Sequence, residues 1–299
     1  MTDRPGTHLT VEQMLRLRPK ALRLLPGLHA KALSPGPAPR LSAFRGRGME
    51  FDEARLYQPG DEARNIDWRV TARRGEPYTK LFREERERPL FILTDLHDGM
   101  YFGTRRVFKS VLATEIAALI AWVGAAIGDR VGGLVAASDG HDELQPQTRD
   151  AGVLKLLHSL ERRQPGAPGE LRPGQLDREL ARLQRIVHPG SLIVVLSDFL
   201  QMGETLETRL RALRRHNDLR IGFIGDPLES TPPDSGSWRL GTPARRLWLD
   251  AGAARLRAQW RQRFEQRFDH VAACCRATGS RLMPFWTADD PLPTLRRML

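Results

Sequence analysis

The sequence predicts an α/β fold, a mostly parallel sheet flanked by helices and preceded by a small, charged, β-rich platform. Three observations carry this reading. Beyond Pro89, short apolar runs alternate with longer helical stretches, the pattern of strands joined by crossover helices. With 299 residues and 40% apolar side chains, the chain can bury a full core without staples. The only cysteines, Cys274 and Cys275, are adjacent, which excludes a disulfide scaffold and fits a reducing compartment.

Taken in order, residues 1–40 form an N-terminal amphipathic helix followed by a Pro-rich linker. Val11, Met14, Leu15, Leu17, Leu22 and Leu25 lie among basic residues, Thr10 is placed to cap the helix, and Pro19 kinks it. The linker, Ser34-Pro35-Gly36-Pro37-Ala38-Pro39, cannot continue a helix. Residues 41–88 are dense in charge of both signs, with turn signals at Gly46, Gly48, Pro59-Gly60 and Gly75. Residues 89–299 form the α/β domain. Its strands are expected at 90–94, 131–137, 192–196, 219–224 and 282–286, and its helices at 105–127, 152–160, 176–187, 205–215 and 253–278. A Pro-, Ser- and Gly-rich stretch near 229–243 reads as a loop insertion before a short strand at 246–249. The longest apolar run, 116–127, is shorter than the ~20 residues that cross a bilayer. The N-terminus has no unbroken apolar segment of the signal-peptide kind. A cytoplasmic chain with no membrane span is therefore expected.

The formal net charge is +11, and 42 of the 47 basic residues are arginine. Nucleic-acid binders concentrate cations on one face or interleave them with aromatics. Here arginine is spread along the chain. Clusters at 209–220 and 255–267 keep a nucleic-acid-binding module as an alternative function, but an acidic protein surface is the better target.

In an open α/β sheet, ligands gather at the carboxyl ends of the strands. Two strands end on aspartate there: Asp95, within Asp95-Leu96-His97-Asp98-Gly99, and Asp198, within Ser197-Asp198-Phe199. Asp95, His97, Asp98 and Asp198, with His141 from a neighbouring loop, form one candidate transition-metal set. The competing reading is structural, with both carboxylates bonding loop amides and His97 pairing with one of them. An enzyme using the Asp95/Asp198 crevice is the remaining alternative. The chain has no G-x-S-x-G elbow, no H-E-x-x-H and no dinucleotide or P-loop glycine motif, so it is read as not an enzyme and without catalytic residues.

One segment carries a longer pattern: Gly46-Arg47-Gly48-Met49-Glu50-Phe51, then Arg55-Leu56-Tyr57-Gln58-Pro59-Gly60-Asp61, Arg64-Asn65-Ile66-Asp67-Trp68 and Thr71-Ala72-Arg73. With the Asp95 strand, Gly128-Asp129-Arg130-Val131-Gly132 and Leu196-Ser197-Asp198-Phe199-Leu200, it resembles the domain of unknown function 58 family over roughly residues 43–224. The resemblance implies a von Willebrand factor A-like domain. It also implies a bacterial, chaperone-like or adaptor role beside a MoxR-type AAA+ ATPase in the remodelling or maturation of a client protein.

Domains of that fold often hold Mg²⁺ through an Asp-x-Ser-x-Ser turn, a threonine and a distal aspartate, the metal-ion-dependent adhesion site or MIDAS. Here Asp95 and Asp198 match the aspartates, His97 and Gly99 stand at the serine positions, and Thr148 is the candidate threonine. The site is therefore read as a degenerate MIDAS without a cofactor, and a divalent metal at Asp95/His97/Asp198 is the alternative. In the charged signature, Glu50, Arg55, Tyr57, Asp61, Arg64, Asp67, Trp68 and Arg73 are expected to form a guanidinium–carboxylate lattice. Trp68 and Tyr57 would be its apolar body, and the lattice would fasten the platform or present it to a partner.

Overall fold

The computed structural model describes residues 6–25, 49–58, 66–84, 88–242, 245–250 and 252–299. The chain divides into two compact units, Met1–Ser34 with Arg88–Leu299, and Pro35–Glu87.

The larger unit is built on a six-stranded sheet. Its strands are β3 (Pro89–Leu96), β4 (Arg130–Ala137), β5 (Gly140–Gln147), β6 (Leu192–Ser197), β7 (Asp218–Gly225) and β10 (Arg281–Trp286), in the order β10-β7-β6-β3-β4-β5. All neighbours pair parallel except the edge strand β5, which returns antiparallel to β4. The sequence reading missed β5, because its polar run His141-Asp142-Glu143 carries no buried alternation.

Period-two alternation splits the central strands between two cores. Leu90, Ile92, Val131, Val135 and Val194 enter one, while Phe91, Leu93, Leu134, Ile193 and Val195 enter the other. The first core is closed by α1 (Val11–Leu15), α2 (Arg18–Leu22), α4 (Lys109–Ala126), α5 (Arg149–Arg163) and α10 (Leu292–Met298). The second is closed by α6 (Gln175–Ile186), α7 (Leu206–Arg214) and α9 (Ala254–Thr278).

Thr10 caps α1 in a capping box with Gln13. The chain breaks before Pro19, which lies in the first turn of α2, where its missing N–H costs nothing. By length and composition α4 is apolar enough to cross a membrane, and 83% of it is buried in this fold. The helix expected at 105–127 begins at Lys109 and ends at Ala126, and the apolar run 116–127 forms its later turns.

The stretch expected as a loop near 229–243 contains structure. Asp226 caps a short helix α8 (Pro227–Ser230) in a second capping box with Glu229, and β8 (Ser237–Thr242) pairs antiparallel with β9 (Arg245–Asp250). The smaller unit holds an antiparallel pair, β1 (Met49–Leu56) with β2 (Tyr78–Glu84), and the helix α3 (Trp68–Arg74).

Asp129, in the turn from α4 to β4, is 7% exposed. Burial pushes its carboxyl up to about 6, opposed by Arg88. A carboxyl raised on folding binds its proton more tightly in the native state, so its contribution falls as pH rises from about 4 through 6. Denaturation curves at pH 4 and pH 7 should show Asp129→Asn more stable than wild type by ~1–3 kcal/mol at pH 7 only. An equal difference at both pH values would refute this.

Candidate functional site

β3 leads to α4 on one face of the sheet and β6 leads toward α7 on the other, so the crevice between their carboxyl ends is the topological switch point. There the chain buries a charge network. Asp95 is 4% exposed, His97 1%, Asp198 0% and Lys109 0%. His97 Nε2 faces Asp198 Oδ1 at 3.0 Å, while the Gly99 amide donates to His97 Nδ1 at 3.0 Å. In the neutral ring that amide leaves the proton on Nε2, directed at Asp198. A Cβ at Gly99 would stand 2.6 Å from His97 Cε1, so the ring needs a glycine beside it.

Lys109 Nζ donates to Asp198 Oδ2 at 2.5 Å and to Glu229 Oε1 at 3.0 Å, and Arg267 lies 3.6 Å from the same Glu229 oxygen. The Ser197 hydroxyl donates to Asp95 Oδ2 at 2.7 Å and accepts from the Phe199 amide at 2.9 Å. The Leu200 amide donates to Asp198 Oδ1 at 2.9 Å. Between them Phe199 adopts φ 58°, a left-handed conformation that a bulky residue holds only where its surroundings impose it. Its buried ring stacks on Phe223.

Burial alone would raise Asp198, but the charges of Lys109 and His97 hold it well below the usual carboxylate range. Burial lowers His97, and Asp198 and Asp95 more than offset it, pushing the imidazole up to about 9. Lys109 follows the same balance, lowered by burial and raised further by Asp198 and Glu229. Asp95 is raised by burial, which His97, 3.9 Å away, and the Ser197 hydroxyl offset only in part.

Beside this network opens a cleft of about 620 Å³. Phe102, Leu171, Leu200, Leu256 and Trp260 give it an apolar lining, and Lys109, Glu229, Arg263 and Arg267 give it charge. Leu171 and Leu256, from different elements, are 46% and 40% exposed. Arg263 is exposed and has no ion pair among the described residues. Arg267 Nε is buried and has no hydrogen-bond partner among them.

The structure thus brings together Asp95, His97 and Asp198 and separates the other candidates. Thr148 follows β5, whose last residue pairs with Val131, whereas Asp95 pairs with Ala136. Five strand residues at ~3.3 Å each put Thr148 toward the opposite end of the strands, so it is no ligand here. His141 turns to Arg182 and Glu143. Asp98 opens a 3₁₀ turn and lines the cleft.

In the smaller unit, Asp67 caps α3 through the amides of Arg69 and Val70. Trp68 is 70% exposed, so it is not the apolar body expected of it; it occupies the first position of a short helix, with its side chain turned to solvent. Tyr57 is half-buried, and Arg73 is exposed with no ion pair among the described residues. Glu50 and Arg55 lie on β1, and Asp61 and Arg64 lie outside the described residues.

Sequence reading missed Lys109, Glu229 and Arg267. A signal for the first was present, since Lys109 is one of only five lysines and stands at the start of an apolar helix. A cation there opposes the helix dipole by about 0.3–1 kcal/mol unless a carboxylate answers it.

Comparison with known proteins places these features in context. The chain is 31% identical over 196 residues to uncharacterized protein Rv1480 of Mycobacterium tuberculosis, covering 66% of this chain and 61% of that one. It therefore matches less than two thirds of the length of this relative. Uncharacterized protein YeaD of Bacillus subtilis is 36% identical over 75 residues, covering 23% of this chain and 19% of that one. Among solved structures, the conserved hypothetical protein BatB from Bacteroides thetaiotaomicron aligns at TM-score 0.45 and 12% identity, over 71% of this chain and 96% of that one. An aerotolerance-related membrane protein from Bacteroides fragilis aligns at TM-score 0.43 and 14% identity, over 70% and 95%. The cytoplasmic location expected from the sequence is not upheld: the Bacteroides fragilis chain is described as a membrane protein, a description of that chain alone. The family model described as Protein of unknown function DUF58 matches residues 53–270, and the chain belongs to that family.

Proposed function

We propose that this chain is a von Willebrand factor A-like, non-catalytic binding module that receives a segment of a MoxR-type AAA+ ATPase and couples it to a client protein. The family pattern in the sequence motivates the choice of partner. The observation that carries the binding role is the contrast between the network and the cleft. A general acid, base or nucleophile must reach the atom it acts on. Here Asp95, His97, Lys109 and Asp198 are buried and paired, while the neighbouring cleft is largely apolar, with Asp98, Glu229, Arg263 and Arg267 also in its lining and Arg263 without an ion pair among the described residues.

The cleft suits an apolar segment carrying a carboxylate. Leu171, Leu256 and Trp260 would take its apolar side chains, and Arg263 would take the charge, with Arg267 Nε as a further donor. The +11 net charge favours an acidic partner in the same sense. Titration of the purified ATPase encoded by the same genome against the immobilised chain tests this. Arg263→Glu or Trp260→Ala should weaken binding by at least roughly tenfold, as for a central interface residue. Arg211→Ala, whose side chain pairs with Glu207 on α7, should leave it unchanged. Undiminished binding by both cleft variants would refute the assignment.

A further inference from the structure

The von Willebrand-like reading implies a divalent cation at the crevice, and Asp95, His97 and Asp198 each bring one ligand atom, all within 4.8 Å of one another. The surrounding donors do not fit such an ion. Asp198 Oδ2 already meets the Lys109 ammonium at 2.5 Å, and Asp198 Oδ1 already takes His97 Nε2 at 3.0 Å and the Leu200 amide at 2.9 Å. A metal bonded to Oδ2 would sit ~2.0–2.6 Å from it, on the side the ammonium fills, and the two cations would share one volume. His97 would also have to give up the Nε2 proton it directs at Asp198, and the Ser197 hydroxyl already occupies Asp95 Oδ2.

The ammonium, in contrast, is seated on three sides: Asp198 Oδ2, Glu229 Oε1 at 3.0 Å, and the Phe102 ring, whose centroid lies 5.6 Å away. Lysine suits this seat better than the arginine that dominates the chain, because it is a compact point charge where a guanidinium is a wide plane.

We infer that Lys109 is the resident cation of this site, tethered by the chain in the position an exchangeable divalent ion would take, and that the fold and its binding activity are independent of divalent metal. Lysine removal then opens a latent metal site, with Asp95, His97 and Asp198 as its ligands. The two carboxylate donors suit Mn²⁺.

The test counts bound Mn²⁺ by electron paramagnetic resonance and follows thermal melting of the full chain in EDTA, Mg²⁺ and Mn²⁺. Wild type is expected to bind no stoichiometric Mn²⁺ and to melt at one temperature in all three. Lys109→Ser is expected to bind roughly one Mn²⁺ per chain and to melt higher in its presence; Lys109→Ser combined with Asp198→Asn is expected to lose both responses. A wild-type chain that holds one Mn²⁺, released by Asp198→Asn, or that melts lower in EDTA, overturns the inference. So does a folded Lys109→Ser chain that takes up no Mn²⁺. Should the serine variant fold only with Mn²⁺ present, the inference is supported. Should it not fold at all, the wild-type measurements decide alone. None of these outcomes depends on the ATPase, so the inference and the proposed function fail separately.

Discussion

In metal-free buffer, Lys109→Ser should lower the unfolding free energy by about 3–5 kcal/mol, the cost of leaving a buried carboxylate without its partner. Asp198 is fully buried, and without the ammonium its Oδ2 loses the shortest contact in the site. Glu229 keeps Arg267 at 3.6 Å, so the larger loss falls on Asp198. Removing both charges should hurt far less than removing one. Lys109→Met with Asp198→Asn keeps an oxygen for the Leu200 amide and removes the stranded charge. A double-mutant cycle by chemical denaturation should therefore give a coupling energy of at least ~1.5 kcal/mol between the two residues. Additive losses would mean that the pair is not the unit described above.

Asp226→Ala should cost about 3–5 kcal/mol, for a different reason. Its carboxylate accepts from the Thr104 amide at 2.8 Å, the Thr104 hydroxyl at 2.6 Å, the Leu228 amide at 2.9 Å and the Thr287 hydroxyl. These donors come from the loop before α4, from α8 and from the end of β10. Alanine would strand them in the interior at ~1 kcal/mol or more apiece. Asp226→Asn should cost less but not nothing, because its amide nitrogen cannot accept from Thr104 and Thr287. Asp226 also caps the helix that carries Glu229, so the alanine variant should loosen the Lys109 seat as well. Thr287→Val, which removes one donor and leaves the carboxylate, should cost about 1 kcal/mol. A loss that small in Asp226→Ala would show that the loops are held by other contacts.

The parts of the molecule legible in the sequence are those where pattern and environment agree. The runs around Leu90, Val131, Ile193 and Leu219 are apolar on both faces, because helices cover both sides of the sheet, and they became its central strands. Asp95 and Asp198 were legible because they end those strands. β5 was not, since an edge strand with a polar outer face has no apolar alternation to read. Helix α8 carried a usable signal, Asp226-Pro227-Leu228-Glu229, a capping box with proline in the first turn. The surrounding Pro and Ser residues masked it.

Lys109, Glu229 and Arg267 lie 89, 31 and 69 residues from Asp198, on elements whose packing no local pattern fixes, and only the fold makes them one network. Thr148 illustrates the converse. Its residue type suited the expected site, but the antiparallel return along β5 carries it to the other end of the strands.

The central claim is that a buried charge network supports an open cleft that binds the partner. Amide hydrogen exchange, measured by mass spectrometry on the chain alone and in complex with the ATPase, tests it most directly. On binding, peptides covering residues 168–172, 199–203 and 254–267 should gain protection, with little change in β5 and α5 at the far side of the sheet. A complex whose new protection falls elsewhere, with the cleft peptides exchanging as in the free chain, would contradict the account.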